Sequence, residues 1–212
     1  PDLGGRFTKG LFFESEAHLA PREALFQLRA GLIADGAVFK VADADPDDFA
    51  RRGLTVDCRG FQARAQLSDL RGVKGEMLVL SCPDITLNRP IRMLHPRIPL
   101  YIVPRGSGVF MLGATMIEGQ AGRHVTARSM LELLSAAYAL NPAFGEAEVL
   151  EIGVDSRPAF PDNLPRIQCE GNLIRANGLF RHGFLLAPAL ARMVAELIFD
   201  SKIPEVTNET AA

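Results

Sequence analysis

Histidine, cysteine and glycine carry most of the chemistry that a short motif can announce, and in this sequence they are spaced where such motifs do not form. The four histidines, His18, His95, His124 and His182, make no H-E-x-x-H, and the three cysteines, Cys58, Cys82 and Cys169, make no C-x-x-C. Neither a zinc site nor a disulfide framework is expected, and no metal is called for. No G-x-S-x-G elbow and no G-x-x-x-x-G-K-[ST] loop is present. The G-x-G at Gly106-Ser107-Gly108 lacks a third glycine and precedes a strand, whereas phosphate binding requires a helix N-terminus there. It therefore reads as a hairpin turn. Cys58 has two readings, a reactive thiol beside Arg59 or a buried structural cysteine ending a strand, and the structural reading is preferred.

What remains is a set of arginines and backbone-rich turns. Tyr101 lies in a strand otherwise made for burial, where a core tyrosine with one satisfied hydroxyl is the plain expectation. Arg157 ends a strand and is followed by Pro158, Pro161 and Pro165, which suits a surface arginine. The run from Asn177 to Pro188 is less ordinary: Gly178 and Gly183 bracket Arg181 and His182, and an apolar helix follows. Free N–H groups at a helix start can accept a ligand oxygen. Spacing alone leaves both readings open for all three segments.

The elements that must position these residues follow from periodicity. Pro21 suits the first turn of a helix with Leu25, Leu28, Leu32 and Ile33 on one face and Gly36 at its end. Residues 37–41 read as a strand, 43–52 as a solvated charged loop, and 54–57 as a short strand. Strands are expected over 73–80, 100–103, 109–116, 147–156 and 172–176. Thr126 is the expected N-cap of a helix that runs to Leu140 and stops at Asn141-Pro142, with Met130, Leu134, Ala137 and Tyr138 as its apolar stripe. A last helix is expected from about Pro188 to Phe199, with Leu190, Val194, Leu197 and Ile198 apolar, before a polar, frayed tail after Pro204. The fold class is α+β, with mostly antiparallel strands flanked by a few helices.

Composition sets outer bounds. The chain has 212 residues, 48% hydrophobic, with a formal net charge of -2. That length supports one sizeable core and part of a second. No basic excess points to nucleic acid, and no apolar run approaches the ~20 residues that span a bilayer. An odd number of cysteines suits a reducing cytoplasm. Pro1 rather than Met opens the sequence with no leader pattern after it, so the expectation is a chain that begins inside a longer gene product or is a processed or engineered fragment.

Taken in order, several segments resemble the D-amino-acid oxidase superfamily, and most of all its glycine oxidase branch, which includes the thiamine-pathway oxidoreductases called ThiO. Leu19-Ala20-Pro21-Arg22 is similar to the family's helix start. Val56-Asp57-Cys58-Arg59-Gly60 stands at its strand-to-glycine turn, and Arg71-Gly72-Val73-Lys74-Gly75-Glu76 at its "p-v-R/K-G-E" strand. Tyr101-Ile102-Val103-Pro104-Arg105 and the run from Gly113 to Glu118 resemble its "Y-l-v-P-R … G-A-T-x-E" hairpin. Arg157 through Pro165 resembles "R-P-x-x-x-D-x-x-P", and Asn177 through Pro188 resembles "G-H-F-R-N-G-i-l-L-A-P". The chain departs from the pattern at Leu179, where the branch has His, at Cys58-Arg59, where small residues are usual, and in lacking the family's opening G-x-G-x-x-G.

The resemblance implies a largely antiparallel substrate-binding sheet with flanking helices, joined to the C-terminal part of an FAD-binding (GR2-type) α/β domain. Residues 1–60 and 151–212 would belong to the FAD-binding domain and 61–150 to the substrate domain. It implies FAD-dependent oxidation of glycine or a small amine to an imine, with dioxygen as acceptor and hydrogen peroxide as product, in thiazole synthesis for thiamine. A sarcosine-oxidase-like or D-amino-acid-dehydrogenase-like enzyme, or a catalytically silent module without flavin, are the alternatives. The flavin carries the difficult chemistry, so no catalytic acid or base is expected. By match to the motifs, Arg157 clamps the substrate carboxylate, Tyr101 adds a hydrogen bond, and Arg181 lies near substrate and flavin. Gly60 and the stretch Gly178, Leu179, Phe180, Arg181, His182, Gly183, Phe184 and Leu185 would contact the cofactor. No nucleic acid or membrane partner is implied, and assembly into a homo-oligomer is left open.

Overall fold

The computed structural model describes residues 2–94, 100–119 and 122–206. His95 and the end of the tail, 207–212, lie outside the described residues. Along the chain the elements are α1 (Pro21–Ala34), α2 (Pro46–Ala50), β1 (Thr55–Asp57), β2 (Arg71–Ser81), β3 (Ile91–Met93), β4 (Leu100–Gly106), β5 (Val109–Gly113), β6 (Ile117–Glu118), α3 (Ala127–Leu140), β7 (Glu148–Ala159), β8 (Arg166–Glu170), β9 (Leu173–Asn177) and α4 (Gly183–Asp200). They form two compact units, one of Pro1–Gln27, Lys74–Ile117 and Ala121–Asp155, the other of Leu28–Val73, Glu118–Gln120 and Ser156–Ala212. The mixed, largely antiparallel α+β class is as the sequence implies.

The first unit is organised by a sheet of order β3-β4-β5-β2-β6, with β7 also paired to β2. Strand period puts Lys74, Glu76, Leu78 and Leu80 on one buried face of β2. Leu100 and Ile102 of β4 and Phe110 and Leu112 of β5 join Leu78 and Leu80 in the core, and α3 closes it with Leu133, Ala136, Ala137 and Leu140. Phe110 meets Phe144 edge to face, with ring centroids 5.6 Å apart. Gly106-Ser107-Gly108 is the β4–β5 hairpin turn, all three with positive φ. Thr126 caps α3, its hydroxyl accepting from Ser129 N at 3.2 Å.

The second unit carries a smaller sheet of order β1-β9-β8. β1 runs parallel to β9, Thr55 opposite Leu173 and Asp57 opposite Arg175. β8 runs antiparallel to β9. Ile167, Ile174 and Ala176 pack against Leu190 and Val194 of α4. A second cluster joins Ala63, Leu67 and Leu70 to Phe160.

Several expectations need correction. Residues 37–41 form no strand: Val38 and Val41 are exposed and have no ladder partner among the described residues, so β-branched composition alone did not suffice. The charged loop 43–52 contains α2, because Asp45 accepts from Asp47 N at 3.0 Å and Pro46 takes the first helical position. The stripe of α3 holds at Ala137, with Met130 and Leu134 packed beside the core, but it is centred on Leu133, Ala136 and Leu140, and Tyr138 is exposed. α4 starts at Gly183, and Pro188 lies inside it. A proline there removes one bond to the carbonyl four residues back, on a stretch where Phe184 and Leu185 face solvent, so the helix continues through it. The face of α1 formed by Leu25, Leu28, Leu32 and Ile33 is exposed. The tail is tied down as far as Val206, whose carbonyl accepts from Ile167 N at 3.0 Å.

Candidate functional site

The expected site residues divide between the units, and each half has its own geometry. Tyr101 belongs to the first unit. It sits in β4 opposite Gly113 of β5, on the face away from Leu100 and Ile102. Its ring lies over that glycine: a Cβ on Gly113 would stand 2.4 Å from both the ring Cζ and the hydroxyl oxygen. The core reading of Tyr101 is therefore replaced by a half-buried ring on the opposite face of the sheet. Two surface clefts of this unit, of about 570 and 1210 Å³, are lined by other residues, the hairpin tip with His18 in one and the stretch from Leu3 to His18 in the other.

Arg157, Arg181, Gly60 and the loop from Gly178 to Leu185 all belong to the second unit. The structure brings the glycine turn and the loop together at the carboxyl ends of the parallel pair β1 and β9, the end where open α/β sheets bind ligands. Asn177, buried at the end of β9, clasps them. Its Nδ2 donates to Gly60 O at 2.8 Å, and its Oδ1 accepts from Gly178 N at 2.8 Å. Phe180 N donates to Pro158 O at 3.0 Å, so the residue after Arg157 is tied to the same loop. His182 N donates to Leu179 O at 3.0 Å, which turns the chain into α4.

Two glycines are required by this arrangement. Gly60 has φ +58° and Gly178 φ +85°, both in the left-handed region. A Cβ on Gly178 would also stand 2.4 Å from Phe160 Cδ2. The Phe180 ring has two guanidinium groups near it, Arg71 Cζ at 5.7 Å and Arg181 Cζ at 5.8 Å from its centroid. Arg71 is itself held by Glu118 at 2.7 Å and by the Asn163 side chain.

Asp57 fixes the turn before Gly60. Its side chain is fully buried and grips Arg59 from both oxygens, Nε to Oδ1 and Nη2 to Oδ2 at 2.9 Å each. Burial works to raise the Asp57 pKa, but the hydrogen bonds and charge of Arg59, with Arg175 behind, hold it below the ordinary aspartate value. Cys58 is exposed, which corrects the buried reading. Local desolvation, and after it the Asp57 charge, push its thiol pKa up, so a reactive thiolate is not favoured either.

Motif reasoning quoted Asp57 and Asn177 without giving them a role. The signal for Asn177 was an amide directly before a glycine at a strand end, where Asn readily bonds the following backbone. Motif reasoning also missed the ion pair of Lys74 and Glu76, both buried, with Nζ and Oε1 2.8 Å apart. Among the described residues, no group of three or more His, Cys, Asp or Glu side chains is placed to hold a metal, and no helix is long and apolar enough to cross a membrane.

The residues present fit one side of a dinucleotide cofactor. They supply a left-handed glycine turn, a second glycine loop and the N-terminus of an 18-residue helix beyond the carboxyl ends of β1 and β9. Comparison with known proteins gives the family. Residues 1–197 match the family model described as FAD dependent oxidoreductase. The chain is 52% identical over 212 residues to a Rhizobium etli protein provisionally named thiamine biosynthesis oxidoreductase ThiO, covering 97% of this chain and 63% of that protein. It is 31% identical over 134 residues to a glycine oxidase of Bacillus subtilis, covering 62% of this chain and 35% of that one. The crystal structure of glycine oxidase from Geobacillus kaustophilus superposes with a TM-score of 0.61 at 28% identity, over 72% of this chain and 43% of that chain. The chain thus spans less than two thirds of the length of these relatives.

Proposed function

The chain belongs to the FAD-dependent oxidoreductase family, and on that premise we propose that it supplies the substrate-facing part of a flavin-dependent oxidase acting on glycine or another small amino acid. The observation that carries this reading is the junction at the carboxyl ends of β1 and β9, where Asn177 joins the Gly60 turn to the Gly178 loop. When bound there, FAD supplies the acceptor for the electron pair of amine oxidation. The chain's own residues bind and orient. Gly60 and the stretch Gly178–Leu185 offer backbone to the cofactor, with the start of α4 favouring negative charge.

Arg157 binds the substrate carboxylate as a two-pronged donor, a geometry lysine does not reproduce. Tyr101 adds a hydrogen bond from its hydroxyl, and Arg181 contributes positive charge beside the loop. Holding the carboxylate fixes the α-carbon for oxidation without a dedicated acid or base. With FAD bound, dioxygen would be the final acceptor and hydrogen peroxide the product, and the role is in thiamine biosynthesis, as the name of the Rhizobium etli relative supports. The free cysteines suit a cytoplasmic setting.

Arg157→Ala in the full gene product tests the clamp. It should weaken glycine binding by about 2–5 kcal/mol, the range for truncating one partner of a charged pair. Unchanged glycine affinity in a folded, flavin-loaded Arg157→Ala protein would remove Arg157 from the site.

A further inference from the structure

Glu76 is wholly buried in β2, and the ordinary needs of a core do not explain a carboxylate there. Its oxygens are all engaged. Oε1 meets Lys74 Nζ at 2.8 Å and accepts from Thr126 N at 3.1 Å, while Oε2 accepts from Thr115 Oγ1 at 3.0 Å. The backbone of Glu76 holds the same threonine: Glu76 N donates to Thr115 Oγ1 at 3.0 Å, and Thr115 N donates to Glu76 O at 3.1 Å. Three bonds therefore fasten Thr115 to one residue.

Thr115 follows Gly113 by two residues, and Gly113 is the floor under the Tyr101 ring. The clearance there is too small for a single added carbon. A shift of a few tenths of an ångström in the run 113–115 must move the ring. We propose that Glu76, paired with Lys74, is a positioning residue that sets Tyr101 through Thr115 and Gly113. The path is β2 carboxylate, Thr115 hydroxyl, Gly113 backbone, Tyr101 ring. It gives the buried ion pair a use in substrate recognition that a hydrophobic pair would not supply. This rests on the proposed substrate role of Tyr101, but the placement of the ring is a separate matter and is measured separately.

The sequence makes that measurement direct, because the chain has two tyrosines and no tryptophan. Tyr138 is exposed. In a Tyr138→Phe background the near-ultraviolet circular dichroism and tyrosine quenching report Tyr101 alone. Glu76→Gln leaves Lys74 with a weakened partner and risks misfolding, so Thr115→Val, which removes only the hydroxyl link, is the primary variant. Thr115→Ser, which keeps it, is the rescue. Thr115→Val should lose most of the Tyr101 dichroism and expose the ring to quencher, while Thr115→Ser keeps the parent signal. In the flavin-loaded full gene product, Thr115→Val should raise the glycine KM about tenfold with FAD affinity unchanged. Folded Thr115→Val protein with the parent Tyr101 signal would overturn the positioning role. A parent that never oxidises glycine would instead refute the oxidase reading, and the Tyr101 spectrum would still decide this one.

Discussion

The ring of Tyr101 rests directly on Gly113, its register partner across the β4–β5 pair, with 2.4 Å between the ring Cζ and the place a Cβ would occupy. Alanine at 113 therefore has to push the ring off the strand or bend the strand beneath it. Overpacking of this kind costs about 1–3 kcal/mol. Gly113→Ala should raise the glycine KM while leaving FAD affinity alone, measured by steady-state kinetics and flavin titration. A variant with wild-type KM would mean that Tyr101 does not touch substrate.

Gly178 is constrained twice, by its φ of +85° and by Phe160 Cδ2, which lies 2.4 Å from where a Cβ would stand. Gly178→Ala should lower stability by about 2–4 kcal/mol from strain and overpacking together. That corresponds to a fall in Tm of the order of 5–15 °C for a chain of this length. Scanning calorimetry without added flavin isolates this effect from cofactor binding. A Tm within a degree of the parent would show that the loop relaxes freely.

Asn177 is the clasp between the two glycine turns, and Asn177→Asp keeps its shape while replacing the Nδ2 donor to Gly60 O with an acceptor. The bond to Gly178 N survives, so the turns should separate on one side only. A buried acceptor facing a carbonyl costs about 1–3 kcal/mol. FAD affinity, followed by flavin fluorescence, should fall about tenfold or more, with glycine KM at saturating FAD nearly unchanged.

The Lys74–Glu76 pair predicts asymmetry between single and double changes. Lys74→Met alone leaves a buried carboxylate without its cation and should cost about 3–5 kcal/mol in denaturant unfolding. Lys74→Met with Glu76→Leu should cost markedly less than the sum of the two single changes. The pair also sets an acid limit. Burial works to raise the Glu76 pKa, but Lys74 and the donors from Ser129, Thr126 and Thr115 hold it below the ordinary glutamate value. Its contribution is therefore present above pH of about 4.3 and lost as pH falls through the lowered folded value. Asp57 adds in the same direction. Glu76→Gln should flatten the loss of stability below that pH, and an unchanged slope would exclude Glu76 as a source.

Elements whose local chemistry agrees with their place in the fold were legible in the sequence. The Thr126 cap, the Gly106–Gly108 turn and the apolar alternation of β4 and β5 each have a cause within a few residues. What was not legible depended on partners far along the chain. Residues 37–41 look like a strand but have no ladder to join. The burial of Lys74 and Glu76 was not legible, because it is made possible by Thr115 and Thr126 some forty to fifty residues away. In the candidate site, Arg157, Tyr101 and the Gly178 loop came from family resemblance. The Asn177 clasp emerged only from the fold, since it joins groups whose meeting depends on the parallel pairing of β1 with β9, whereas the Asp57 grip on Arg59, two residues on, is local.

As the substrate-facing part of a flavin-dependent amino-acid oxidase, the proposed role of this chain has a visible signature. The most direct measurement is the visible flavin spectrum of the full gene product, loaded with FAD and mixed with glycine in the absence of oxygen. A yellow protein whose flavin absorbance bleaches on adding glycine and returns on admitting air is the expected result. A protein that takes up no FAD, or that holds it and stays oxidised with glycine and with small secondary amines, would contradict it.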